Sequence, residues 1–451
     1  MTFSALDSTL TGPLFATDAM RACFSDEARL AAMLVAEAAL ARAEAAVGLA
    51  PTELAGAVEA ITPADLDAVQ IGRETALAGV PTIPFVKAAQ ACLPPALERS
   101  FHKGSTTQDI LDTALVLQIQ RALPLIEIDL RAIITGLTAL ATRYRDTPCI
   151  GRTYGQHGAP ITFGFKAAVW LAGIVEAAER LPHIRSRLLV ASLSGPVGTL
   201  TALGAQGPNV LEGFARELGL SAAPIAWHAR RGRIAEGGAW LAQLMGALAK
   251  MATDIANLAS TEVAEVAEPY IPGRGGSTAM PHKRNPVSCT VVLAAHGAAP
   301  GLAATLLTAM AAAHERPAGL WHAEWHALPT LFGLTSGALR EARVLAEGLE
   351  VDPARMRTNL DTTNGLLFAD SVAARLGATL GREAGHSLVE HAANEVRRTG
   401  EHLCAVLARD PLTAGIDLAP AFDLTAAIAA SGPWVDRAIA AARSALPEET
   451  P

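Results

Sequence analysis

The chain has 451 residues, 51% of them hydrophobic and 18% charged, so a large buried core is available and global disorder is excluded. Aromatic residues reach only 4%, too few for a sandwich or barrel, and the alanine excess points instead to close helix packing. A net charge of −8 with no broad basic stripe argues against a nucleic-acid binder.

The N-terminal stretch MTFSALDSTL lacks the basic start and apolar run of a signal peptide. Five scattered cysteines with no CxxC pair suit a reducing compartment, so a soluble, cytoplasmic protein is expected. Apolar periodicity predicts a helix over 25–49, ended by Gly48 and Pro51, and a very long one over 107–145, kinked but not ended at Pro124. Further long helices are predicted over 162–187, 229–260, 285–310 and 325–349. The stretch 287–313 carries no Asp, Glu, Lys or Arg, but His296, Gly297, Pro300 and Gly301 interrupt it. A kinked helix of the bundle is expected there rather than a membrane span. Asp352-Pro353 has the character of an N-cap followed by the first helical residue. The expected fold is all-α, with an N-terminal helical domain (1–106), a central long-helix bundle (107–351) and a C-terminal helical domain (352–451). Helices this long leave apolar surface that favours burial against other subunits.

Three polar, glycine- or threonine-rich stretches interrupt the helices. The first, His102 to Asp109, opens the longest helix; free amides flanked by hydroxyls suit a carboxylate or phosphate, although Thr106 or Thr107 as an ordinary cap explains it equally simply. The second, Gly151 to Pro160, packs Arg152, Thr153, Tyr154, Gln156 and His157 into a short connection, as a donor-rich site or a plain helix link would. The third, Gly273 to Pro286, lies in a segment between Glu268 and Glu315 that contains no acid. Arg274, Lys283 and Arg284 fall in that gap and predict a local anion-attracting region in an acidic protein, the alternative being a solvated flexible loop.

The third stretch, GGSTAMPHKRNP, resembles the GSSxMPxKxNP signature of the fumarase/aspartase superfamily, with Thr278 in place of the second serine. The first resembles that family's TSxD region and the second its RTHxxxxxP region; order and spacing agree over essentially the whole chain. GRGGSTAMPHKRNPVSC and HERPAGLWHAEW are especially similar to the bacterial subgroup that cyclises muconates. Tyr154 stands where most members carry a proton-donating histidine, and the muconate-cyclising subgroup likewise carries an aromatic residue there. An internal lactonisation has no amine leaving group to protonate.

The resemblance implies conversion of 3-carboxy-cis,cis-muconate to 4-carboxymuconolactone, in the protocatechuate branch of the β-ketoadipate pathway. One carboxylate adds to the diene, charge gathers on another as an enediolate, and the α-carbon is protonated. By resemblance Ser277 transfers the proton, and Lys283 and Asn285 hold the enediolate. Thr106, Thr107, Thr153 and Arg316 become candidates for carboxylate binding, with Arg152, Tyr154, His102 and His157 as further contacts. The resemblance also implies a homotetramer whose sites are shared between subunits, and neither metal nor organic cofactor. The alternatives are a β-elimination lyase of the same superfamily, such as adenylosuccinate lyase, or an inactive structural relative. More remote is a metal-dependent hydrolase built on His314, Glu315, His322, Glu324 and His326; HAEWH, however, is not HExxH.

Overall fold

The computed structural model describes residues 3–445, which are predominantly helical. Helix α1 spans Asp26–Ala46; Ser25 caps it by accepting a hydrogen bond from the Ala28 amide at 3.1 Å, and Asp26 and Glu27 complement its positive end. The other long helices follow the apolar periodicity: α2 (Thr107–Arg143), α3 (Phe163–Leu188), α4 (Gly232–Leu258), α5 (Val287–Ala309) and α6 (Leu320–Gly348). Pro124 lies inside α2 without ending it. Helix α6 begins at Leu320, earlier than the periodicity indicates, and continues past Pro329. Asp352 accepts from the Arg355 amide at 2.9 Å, and Pro353 opens the helix Pro353–Leu360, as the Asp-Pro pair predicts.

Two small antiparallel sheets accompany the helices: β1 (Pro148–Thr153) with β2 (Gln156–Thr162), and β3 (Val266–Ala267) with β4 (Glu350–Val351). The second polar stretch is therefore a hairpin and not a plain connection. Tyr154 (φ 52°) and Gly155 (φ 75°) form its two-residue turn, both left-handed, as a turn that follows strand twist requires.

The described residues fall into two compact units. One takes its residues from Met1–Leu130, Ala177–Gly246 and Val291–Arg340, the other from Arg131–Glu176, Ala247–Thr290 and Glu341–Pro451. In the first, α1 packs on the helix Gly207–Glu217, and a Cβ at Gly213 would lie 3.2 Å from that of Ala43. In the second, α2 and α6 meet backbone to backbone, since a Cβ at Gly136 would sit 2.8 Å from the Ala346 carbonyl. Small residues thus set the helix spacing, as the alanine-rich composition suggests. Ile150 of β1 is fully buried among Leu360, Val372, Leu376, Leu403 and Leu407, which anchors the hairpin to a C-terminal apolar core.

Helix α5 is long and apolar enough to cross a membrane by length and composition. Only 33% of its most apolar window is buried within the chain, and Leu293 and Leu307 are exposed. The rest of that apolar face is left uncovered by this chain.

Candidate active site

The first stretch lies in the first unit. Arg316 donates from Nη1 to Thr106 Oγ1 at 2.8 Å and from Nη2 to Thr107 Oγ1 at 2.9 Å, so three residues singled out in the sequence meet. The hydroxyls accept from the guanidinium, which leaves their own protons free to point at an anion. The Thr106 hydroxyl is thus engaged by Arg316 instead of capping the helix. Asp109 takes the capping role and receives the Thr106 amide at 2.9 Å. Asp109, fully buried, also accepts from the amides of Ser194 (2.7 Å) and Gly195 (2.9 Å) and faces His228 Nε2 at 2.7 Å. His102 has its Nδ1 2.6 Å from Glu37.

The hairpin and the third stretch lie in the second unit. Arg152 is half-buried and meets Glu265 through two nitrogens, so its guanidinium is committed within the chain. His157 lies opposite Arg152 across the hairpin; burial and the neighbouring Arg152 charge hold it below histidine's ordinary range, as the neutral imidazole. Thr153 and Tyr154 are exposed at the turn. Arg152 and Thr153 line a cleft of about 920 Å³ together with Lys166 and Lys250.

The third stretch folds back on itself: the Asn285 amide donates to the Gly275 carbonyl at 2.8 Å. Gly275 has φ +70°, and a Cβ there would lie 2.6 Å from the Asn285 carbonyl oxygen, so the closure needs glycine. Within this fold Ser277 Oγ accepts from the amides of Met280 (3.1 Å) and Ala279 (3.3 Å). Two donors on one hydroxyl oxygen favour its anionic form, the state in which serine exchanges a carbon-bound proton.

The charge gap is only partly a basic region. Arg274 pairs with Glu341 and donates to Ser288 Oγ at 2.9 Å; Arg284 pairs with Glu350 at 3.2 Å and donates to the Glu268 carbonyl at 2.6 Å. Acids distant in sequence neutralise both arginines. Lys283, exposed beside them, makes no ion pair among the described residues. Of Arg274, Lys283 and Arg284 in this stretch, it is the one left available for an anion.

Sequence reasoning missed a buried network in the first unit. Arg231, fully buried, binds Asp112 at 2.7 and 3.0 Å and Glu324 at 2.9 Å, and Trp321 Nε1 donates to Asp112 at 3.1 Å. Glu324 therefore turns to Arg231, and His322 Nε2 lies 3.2 Å from the Gly79 carbonyl. The histidine-rich cluster does not assemble: among the described residues no three His, Cys, Asp or Glu side chains gather as metal ligands. An isolated Arg231 in a helical sequence carries no signal of this network, because its partners lie on two other helices.

The model of the lyase family matches residues 14–301 of this chain. The 3-carboxy-cis,cis-muconate cycloisomerase of Pseudomonas putida is 45% identical over 415 residues, covering 91% of this chain and 97% of its own. Nitrosuccinate lyase of Streptomyces davaonensis is 41% identical over 464 aligned positions, 99% of this chain and 98% of its own. The crystal structure of 3-carboxy-cis,cis-muconate lactonizing enzyme from Pseudomonas putida has a TM-score of 0.92 at 43% identity, over 97% of this chain and 100% of that one.

Proposed function

The chain belongs to the lyase family of the fumarase/aspartase superfamily, and from that membership we propose that it is a cycloisomerase converting 3-carboxy-cis,cis-muconate to 4-carboxymuconolactone. The observation that carries this reading is the extent of the match, 45% identity across 91% of the chain, in a protein whose Ser277 already receives two amide donors. A carboxylate oxygen of the substrate forms a bond to the diene, and the electron pair moves to a second carboxylate as an enediolate. Lys283 and Asn285 hold that charge, which develops as the transition state is reached, and their hold lowers the barrier. Ser277 delivers the proton to the α-carbon and is reprotonated from solvent. By the resemblance the three stretches meet from different subunits: Arg316, with Thr106 and Thr107, binds a ground-state carboxylate beside His102, and Thr153, Tyr154 and His157 come from another copy of the chain.

The reaction is redox-neutral and internal, so its chemistry calls for no organic cofactor. Loss of diene absorbance on adding the protein, undiminished by a chelator, is the expected result; no loss of absorbance overturns the reading. A second reading, elimination of nitrite from nitrosuccinate, is favoured by the 41% identity to a lyase of that name over 99% of the chain.

The uncovered apolar face of α5 supports a homotetramer in which central helices pack together and sites draw on several subunits. The three-part domain division belongs with that assembly, and a cytoplasmic location without nucleic-acid or membrane partners suits a small anionic substrate. Mixing Ser277→Ala and Thr107→Ala proteins should restore part of the activity, because some mixed sites carry no lesion. A fully active monomer by light scattering contradicts sharing.

A further inference from the structure

Behind the first stretch lies a cluster that the mechanism does not use. Glu37 and Glu44 on α1 are each 1% exposed, and each keeps one carboxylate oxygen buried without a hydrogen-bond partner. The other oxygen of Glu37 lies 2.6 Å from His102 Nδ1, and Ser105 Oγ lies 3.1 Å from the same nitrogen. His102 has φ 57°, a left-handed backbone that a non-glycine residue keeps only where its surroundings impose it. Lys103 is turned away and donates to the Leu49 carbonyl at 3.2 Å, so His102 is the cation that Glu37 meets. A buried carboxylate without such a partner is costly. With Nδ1 tied to Glu37 on a partly exposed ring, Nε2 is the ring nitrogen that Glu37 does not engage.

We propose that Glu37 is a positioning residue for substrate binding: it fixes His102 through Nδ1 and presents the Nε2–H edge, on the stretch that carries Thr106 and Thr107, to a carboxylate of the substrate. The proposal rests on the cycloisomerase reading, in which the substrate carries three carboxylates and Arg316 is the cation at the two threonines. The groups facing His102 are Glu37 and Glu44 from α1 and Asp109 from α2, with Lys103 beside Glu44. Burial opposes charging the ring, but the carboxylates, Glu37 foremost, outweigh it and keep the imidazolium above histidine's ordinary range. Glu44 is pushed up to about 8 by burial first, with Lys103 pulling it down and Glu37 adding to the rise, so it holds its proton at neutral pH.

The test is a proton titration of the whole protein carrying ring-labelled histidine, with the His102 signal assigned by its loss in His102→Asn. The wild-type midpoint should lie above about 6.5, and Glu37→Gln should lower it by about one unit or more. In Glu37→Gln the KM for 3-carboxymuconate should rise about tenfold at pH 8 and less at pH 6, with kcat little changed, as loss of one charge-assisted hydrogen bond requires. A wild-type midpoint at or below the ordinary value overturns the proposal even if Glu37→Gln fails to fold. So does an unmoved midpoint or an unmoved KM in the folded variant. If the wild-type protein leaves 3-carboxymuconate untouched, the functional reading fails, and the titration still decides whether Glu37 controls His102.

Discussion

Arg152 and Glu265 are joined by two hydrogen bonds, of 3.1 and 2.6 Å, and Glu265 is wholly buried. Asn359 adds a third donor to Glu265 at 2.9 Å, so one carboxylate ties the hairpin to the helix Pro353–Leu360. Arg152→Ala leaves that carboxylate buried without its cation, a loss of about 3–5 kcal/mol in urea-induced unfolding. Adding Glu265→Gln to it should recover much of the stability. A double variant no more stable than Arg152→Ala would place the effect elsewhere.

Arg316 is the fork that holds two threonine hydroxyls, and in the proposed site its charge binds a substrate carboxylate. Arg316→Ala should raise KM about 10- to 100-fold, the worth of one or two charge-assisted hydrogen bonds. Arg316→Lys keeps the charge, loses the fork, and should fall between. Steady-state kinetics at fixed pH separates the three proteins, and equal KM values for all of them would remove Arg316 from the binding site.

Ser277 and Lys283 should fail differently. Ser277→Ala keeps every cation and loses the proposed proton carrier, so kcat should drop about 10²–10⁴-fold while substrate still binds. Lys283→Ala removes charge that matters in both ground and transition states, so kcat should fall and KM rise. Near-normal turnover by Ser277→Ala would move the proton transfer to another group, with Tyr154 or His157 next to be tested.

Glu44 gives the fold a specific pH dependence. Its folded carboxyl titrates at about 8, raised from about 4.5 by burial first. Between those values the folded chain holds a proton that the unfolded chain has released, so stability must fall as pH rises through that window. Glu44→Gln should flatten the decline and be the more stable protein at pH 8. Parallel stability–pH curves for the two proteins would show that Glu44 does not titrate this way.

The helices and the third stretch were legible because their signals are local. Apolar spacing marks α2 through Pro124, Asp352-Pro353 marks a helix start, and GGSTAMPHKRNP carries its own glycines. The hairpin was not legible: its turn is Tyr154-Gly155 where Asn-Gly or Asp-Gly would announce one, and its strands contain Gly151, Gly158 and Pro160 in place of alternating apolar residues. The pairing of Arg274 with Glu341 and of Arg284 with Glu350 was equally hidden, since an acid-free stretch says nothing of acids that folding brings back to it. The same holds for Glu37, one more glutamate in an alanine-rich helix until His102 is placed against it.

The most direct test of the cycloisomerase mechanism is proton NMR of the product formed from 3-carboxy-cis,cis-muconate in heavy water. Proton delivery from solvent through Ser277 predicts 4-carboxymuconolactone with one deuterium at the α-carbon and complete loss of the diene signals. An unchanged diene, together with nitrite and fumarate released from nitrosuccinate by the same preparation, would contradict it.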